Sequence, residues 1–276
     1  DVVFATSTGS IRRNKLSDCV PRTSLGKRVM EFDEEGQAIV DVEFSTESDD
    51  VLLTTALGQC IRFRASDVRV FGGGGSTGVS TGVRGVQLQG EDRVISMSIL
   101  RHFEASPEER ALYLKQSRLM RGESEAADAN GDEESVGDSG QLSPERYAAM
   151  SAAEQFVLTV SENGFGKRTP IDEYRLQHRG GSGVINIKAT DRNGKVIAMR
   201  AVVDSDELMM ITANGIMLRT SVSELREIGR ATQGVRMIRV DEGDRVVAVA
   251  RVAPEEDQPD EAGQSETPAA PRARAA

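Results

Sequence analysis

The hydrophobic residues of this chain fall in short runs bounded by turn residues, and the same order of runs recurs four times. Each round opens on a strand-like run ending at a glycine turn: VVFATSTG, VLLTTALG, FVLTVSENG and LMMITANG. A more polar second strand follows (SIRRN, CIRFR, GKRTP, IMLRT). Next come a polar segment and a glycine-containing loop that opens a third strand (GKRVMEF, GVQLQ, GVINIK, GVRMIRV). A last strand closes the unit (AIVDVEF, RVISMSI, KVIAMRAV, RVVAVARV). The turns are Thr8-Gly9, Leu57-Gly58, Asn163-Gly164 and Asn214-Gly215. Asn-Gly is a hairpin signal because both residues tolerate positive φ.

Aligned on Gly9, Gly58, Gly164 and Gly215, the units share more than their hydrophobicity. Three residues before each glycine stands Thr6, Thr55, Ser161 or Thr212; four after it, Arg13, Arg62, Arg168 or Arg219; nine after it, Asp18, Asp67, Glu173 or Glu224. The glycines are 49, 106 and 51 residues apart, so the middle interval holds one unit and an insertion. Short strands and turns in units of about 50 residues predict an all-β, propeller-like array of four blades. The WD and kelch signatures are absent, and the chain has no Trp.

Two segments interrupt the pattern, giving blades at 1–103 and 156–253, an insertion at 104–155 and a tail at 254–276. In the insertion, Ser106-Pro107-Glu108-Glu109 reads as an N-cap, a Pro at N1 and a Glu at N3, and predicts a helix over 107–121. Ser143-Pro144-Glu145 starts a second helix to about Gln155. Between them SEAADANGDEESVGDSG is acidic and poor in apolar residues, which predicts disorder, as does the Pro- and Ala-rich tail. The stretch FGGGGSTGVSTGVRG at 71–85 lengthens a surface loop; it lacks the Lys-Ser/Thr and the following acid that a nucleotide site needs.

Charge changes the picture by its distribution. The net charge is −10. The insertion holds 12 acids and 5 bases and the tail 6 acids and 2 bases, leaving 26 acids and 27 bases on the repeats. Cations that recur at fixed places in a near-neutral array create a local field that a net charge hides. One row is the arginine after each turn: Arg13, Arg62, Arg168 and Arg219. A second precedes the third strand: Arg22, Arg179 and Arg230 lie four residues before Gly26, Gly183 and Gly234, with Arg84 beside Gly85 in the second unit and Lys27 beside Gly26. These nine residues are the candidate phosphate contacts. Two readings of the first row stand: phosphate contact, or pairing with the carboxylate nine residues after the glycine. The second row has no partner evident from spacing.

Little else suggests chemistry. Cys19 and Cys60 read as free buried thiols, and His102 and His178 belong to no cluster at metal-ligand spacing. No catalytic constellation surrounds any serine or Tyr113, Tyr147 and Tyr174. With 4% aromatics, stacking on single strands is not indicated. No run of 18 apolar residues occurs, the mean hydropathy of −0.36 fits a soluble protein, and the opening DVVFATSTGS has no leader pattern. Opening directly on a strand, the chain reads as a domain inside a longer polypeptide.

The segments VFATSTGSIRR, ENGFGKRTPIDEY, RGGSGVINIK, MMITANGIMLRTSVSEL and GRATQGVRMIRV closely resemble the C-terminal domain of the bacterial DNA gyrase A subunit, over nearly all of 1–103 and 156–253. The resemblance implies a β-pinwheel, a six-bladed propeller relative with altered strand exchange, of which these would be the last four repeats. It implies wrapping of double-stranded DNA on a basic rim, in support of negative supercoiling. In the family the active-site tyrosine lies upstream in the same polypeptide; the gyrase B subunit completes an A2B2 complex that uses ATP and Mg2+ in the bacterial cytoplasm. This chain would then be non-catalytic, with no cofactor of its own. The family heptapeptide Gln-Arg-Arg-Gly-Gly-Lys-Gly belongs to a first repeat; its nearest match here is Gln177-His178-Arg179-Gly180-Gly181-Ser182-Gly183, without one arginine and the lysine. The corresponding domain of topoisomerase IV and a protein-interaction propeller are the alternatives. The acidic insertion and tail would compete with DNA for the basic rim.

Overall fold

The computed structural model describes residues 1–20, 27–72, 80–122 and 140–252. The first blade comprises β1 (Val2–Thr6), β2 (Ser10–Asn14), the one-turn helix α1 (Leu16–Cys19) and β3 (Ile39–Phe44). The second has β4 (Asp49–Thr55), β5 (Gln59–Arg64), β6 (Val70–Phe71), β7 (Val83–Arg84) and β8 (Val94–Arg101). Helices α2 (Pro107–Met120) and α3 (Pro144–Ala153) follow. The third blade has β9 (Phe156–Ser161), β10 (Phe165–Pro170), β11 (Val184–Ile185) and β12 (Val196–Val202); the fourth has β13 (Glu207–Thr212), β14 (Met217–Ser221), β15 (Val235–Arg236) and β16 (Val246–Val252).

Each hairpin is closed by the residues that recur in the sequence. The amide of the turn glycine donates to the carbonyl three residues back: Gly9 to Thr6, Gly58 to Thr55, Gly164 to Ser161 and Gly215 to Thr212, at 3.0–3.1 Å. The Thr6, Thr55 and Thr212 hydroxyls accept from the amides of Ser10, Gln59 and Ile216, and the Ser161 hydroxyl donates to the Phe165 carbonyl, all at 3.1 Å. Only the glycines take positive φ, +76° to +88°; Asn163 and Asn214 do not. The turn is therefore a three-residue loop with glycine in the left-handed position, not a two-residue Asn-Gly turn.

The sheets do not coincide with the units. Their orders are β3-β1-β2 with β6 and β7 on β2, β8-β4-β5-β11, β12-β9-β10-β15, and β16-β13-β14. Each short third strand thus pairs with the preceding blade: Val184 opposite Cys60, Val235 opposite Gly166, Val83 opposite Ile11. Gly85, Asn186 and Met237 donate 2.8 Å bonds to the carbonyls of Gly9, Gly58 and Gly164. The third strand of the second unit is therefore Val83–Arg84, and Gly82, not Gly85, is the equivalent of Gly183 and Gly234. In the first unit the described part of the third-strand segment, from Lys27 to Phe32, forms no strand.

The blade faces that meet a neighbour are apolar. Val3, Ala5 and Ile11 meet Val51, Leu53, Ile61 and Met97 between the first and second blades. From the opposite face of β4 and β5, Leu52 and Cys60 meet Val157, Tyr174 and Met199 of the third. A strand buried on both faces needs no alternation, which is why VLLTT reads as a continuous run. β3, β8 and β12 pack on one another in succession and β12 on β16, so closing strands lie inside and exchanged strands at the outer edge.

The insertion starts from a closed base. Gln155 accepts from the Arg101 amide at 2.9 Å and donates to the Arg101 carbonyl at 2.7 Å, so one side chain imitates a strand partner across 54 residues. Ser106 caps α2 with the full capping box, and Ser143 caps α3 by accepting from Arg146. Tyr113 and Tyr147 join the helices, their ring centroids 5.1 Å apart, and α2 packs on the turn 171–173 of the third blade. The acidic stretch 123–139, the tail from 253 and the segment with Arg22 lie outside the described residues.

Candidate nucleic-acid interface

The two basic rows end in different surroundings. Arg13, Arg62 and Arg168 are buried, no more than 7% exposed. Arg62 binds Asp50 through Nη2 at 2.7 Å and Nε at 2.9 Å, and its Nη1 donates to the Ile171 and Tyr174 carbonyls of the third blade. Arg13 meets Asp1 at 3.5 Å and Glu47 at 3.7 Å. Arg219 pairs with Glu207, its Nε donating at 2.6 Å. Asp1, Asp50 and Glu207 each stand eight residues before the turn glycine. They lie diagonally across the hairpin on the arginine's own face, where cross-strand pairs form. The partner nine residues after the glycine is thus corrected: Asp18, Asp67, Glu173 and Glu224 sit on the helical turn that follows the hairpin. The third unit carries Phe156 in place of the diagonal acid. Arg168 stacks on its ring, 4.6 Å from the centroid, and pairs instead with Asp204 and with Glu227, the latter at 2.9 Å. Arg62 and Arg168 tie one blade to the next, and all three buried guanidiniums are out of reach of a duplex. Only Arg219 of this row is exposed.

The second row lies on the outer edge. Arg179 donates from Nε to the Asp67 carbonyl at 2.9 Å and from Nη1 to the Arg84 carbonyl at 3.0 Å. Arg230 donates from Nη1 to the Ile185 carbonyl at 3.0 Å. Arg84 and Ile185 hold equivalent places in β7 and β11, so both arginines make the same inter-blade contact. Their acceptors are neutral, and no carboxylate pairs with either among the described residues, so the positive charge is not offset. Arg84 itself is exposed, as is Arg236 at the same place in β15; Lys27 is exposed and donates to the Asp18 carbonyl.

The structure draws attention to a third basic row. Arg69, Arg175 and Arg226 each stand eleven residues after a turn glycine, and all three are exposed. Counting from the glycines finds them; Val20 breaks the row in the first unit. Beside them, at twelve residues, Val70, Leu176 and Glu227 bridge back to Arg13, Arg62 and Arg168 of the preceding blade. Glu227 is therefore an acid in a register that is otherwise apolar.

Other candidate chemistry recedes. Cys19 and Cys60 are both free; burial pushes the Cys60 thiol up to about 12, so it stays protonated and unreactive, and Cys19 is only half-buried. His102 lies between Asp50, 3.0 Å from Nδ1, and Glu104, 3.0 Å from Nε2. No cluster of three or more metal-binding side chains occurs among the described residues, and no described helix is long and apolar enough to cross a membrane.

An array of four-stranded units that lend their third strand backwards, with arginines repeated along the lending edge, defines the class of pinwheel-type propellers. The protein family described as DNA gyrase C-terminal domain, beta-propeller, matches residues 1–45, 49–101, 155–202 and 206–253, one stretch per blade with the insertion between the second and third. The chain belongs to this family. The DNA gyrase A subunit of Granulibacter bethesdensis is 41% identical over 98% of the chain, and that of Rickettsia bellii 38% over 95%. The chain spans 30% and 28% of those two proteins. A solved DNA gyrase A C-terminal domain superposes with a TM-score of 0.62 at 20% identity, over 91% of this chain and 64% of that one. The C-terminal domain of DNA topoisomerase IV gives 0.66 at 16%, over 91% and 61%. At those identities the solved structures speak to the fold, which they share; the sequence likeness is to the gyrase A subunit.

Proposed function

We propose that the chain binds double-stranded DNA along its outer edge and bends it, as the non-catalytic wrapping part of a gyrase A subunit. The observation that carries this is the row of equivalent arginines on the exchanged-strand edge, Arg179 and Arg230 above all, held by neutral carbonyls and left with their charge. Arg84, Arg236, Arg69, Arg175 and Arg226 extend the row, and Lys27 continues it on the first blade. Bending 20–30 bp by 40–90° costs roughly 1–6 kcal/mol, so a row of contacts is needed rather than one. The contacts would be to the sugar-phosphate backbone, since the exchanged strands and their arginines form no helix or aromatic platform that could enter a groove. In this reading the partners are the upstream part of the same polypeptide and the gyrase B subunit. ATP and Mg2+ act in the rest of the complex, and the setting is the bacterial cytoplasm. The relatives' names favour gyrase over topoisomerase IV.

The test is duplex binding over a salt series. Replacing Arg175, Arg179, Arg226 and Arg230 by Ala should lower the slope of log K against log salt by about 0.9 for each phosphate no longer engaged. Replacing Arg62 should leave the slope unchanged once folding is accounted for. An unchanged slope in the four-fold variant would refute the edge as the interface. A linking-number shift on ligating a nicked circle with the chain bound would be the signature of handed wrapping, which a planar bend alone does not give.

A further inference from the structure

Among the described residues, the end of α2 brings the insertion to the edge. Arg118 and Arg121 lie one turn apart at the end of α2. Arg118 pairs with Glu173 of the third blade at 2.5 Å, and Arg121 Nη1 with Glu227 Oε2 of the fourth at 2.7 Å. Glu227 begins the loop that carries Arg230, between Arg226 and Ile228, and its other oxygen meets Arg168 at 2.9 Å. A cleft of about 190 Å3 separates α2 from this loop, lined among others by Arg118, Arg121, Arg226 and Thr232. The equivalent loop of the third blade has Leu176 where this one has Glu227, and α2 stands against the fourth blade's loop instead.

We propose that Arg121 is a positioning residue for the fourth blade's DNA-facing loop: it offsets the charge of Glu227 and fixes the loop that presents Arg226 and Arg230. This rests on the duplex-binding reading above. The physical argument is local. A carboxylate next to Arg226 and three residues from Arg230 cancels part of the field a phosphate meets there. Arg168 alone can neutralise one carboxylate, but it also serves Asp204. The second cation is supplied by an element foreign to the repeat, at the blade whose register carries the acid. The loop is also pinned by backbone bonds, Ile228 amide to Arg168 carbonyl and Ala231 amide to Asn186 carbonyl, 2.8 and 3.0 Å, and Arg121 would add its hold on Glu227 to these.

Three variants of the chain test this: Arg121→Ala, Arg121→Lys, and Arg121→Ala with Glu227→Leu, the residue type of the third blade. Arg121→Ala should weaken duplex binding about fivefold at fixed salt, the upper end for a charge pair near the surface, since this one is partly buried. The salt slope should not change. Lys should restore most of the loss, and adding Glu227→Leu should restore only the part due to the uncompensated carboxylate. A slope lowered by about 0.9 with no rescue by Glu227→Leu would make Arg121 a phosphate contact and overturn the positioning role; so would unchanged affinity. The bracing is read without DNA, by hydrogen exchange at Ile228 and Ala231. Faster exchange in Arg121→Ala supports it, and unchanged protection overturns it whether or not duplex binding is found.

Discussion

Arg62 and Arg219 stand at the same place in their hairpins and pair with the same diagonal acid, yet one is sealed and the other open. Asp50 is fully buried, and Arg62 is capped by two carbonyls of the third blade; Arg219 and Glu207 are 46% and 32% exposed in their side chains. The local sequence is alike, so the difference comes from the blade that packs on the second hairpin and has no counterpart on the fourth among the described residues. A repeat protein makes its energetics at junctions between units, and one residue changes role with its neighbour.

The largest expected effect breaks the comparison at the acid. Asp50→Ala leaves Arg62 buried without its carboxylate and should cost about 3–5 kcal/mol in chemical denaturation, as for a broken buried pair. Glu207→Ala removes an exposed partner and should cost under about 1 kcal/mol. Equal losses would mean that burial by the next blade does not set the value of the pair.

The turn glycines sharpen the same contrast at a smaller scale. A Cβ on Gly58 would lie 2.2 Å from the Ile187 carbonyl oxygen, and one on Gly164 2.3 Å from that of Ile238, because the next blade's exchanged strand crosses there; at Gly215 nothing lies within 4 Å. All three have positive φ, 76° to 88°, which costs an alanine about 1–2 kcal/mol. Gly215→Ala should show that cost alone. Gly58→Ala should lose about 2 kcal/mol more, with the extra loss read as faster hydrogen exchange at Asn186, whose amide binds the Gly58 carbonyl.

These junctions also mark how far the sequence could be read. Strand order, turn glycines, the hydroxyls that close the turns and the helix starts at Ser106 and Ser143 were legible because they are local: a few residues of fixed spacing carry each. The buried fate of Arg13, Arg62 and Arg168 was not, since it depends on which strand of another unit covers them. Spacing alone places the third strand of the second unit three residues late because Gly85 imitates the opening glycine, and only pairing with Ile11 shows that Gly82 does that job. Among the candidate contacts, Arg84, Arg179 and Arg230 stand at the exchanged-strand edge. The row of Arg69, Arg175 and Arg226 was present in the spacing but interrupted at Val20.

The junction between insertion and blades buries a carboxyl that pairs with no cation among the described residues, and pH should reveal it. Burial, together with the nearby carboxylates of Glu227 and Asp172, pushes the Glu154 carboxyl up to about 7, against the opposing effects of the Tyr113 hydrogen bond and Arg121. Its Oε1 is buried without a hydrogen bond. With a folded pKa above the unfolded value near 4.5, the native state holds the extra proton between those values. Stability contributed here is therefore complete below about pH 4.5, falls as pH rises towards 7, and is gone above it. Glu154→Gln keeps the shape and removes the charge. Because the group is partly exposed, the gain at pH 8 should be about 1 kcal/mol, seen as a melting temperature about 2–4 °C higher, with no gain at pH 4.5. A gain of equal size at both pH values would assign the effect to packing instead of ionisation.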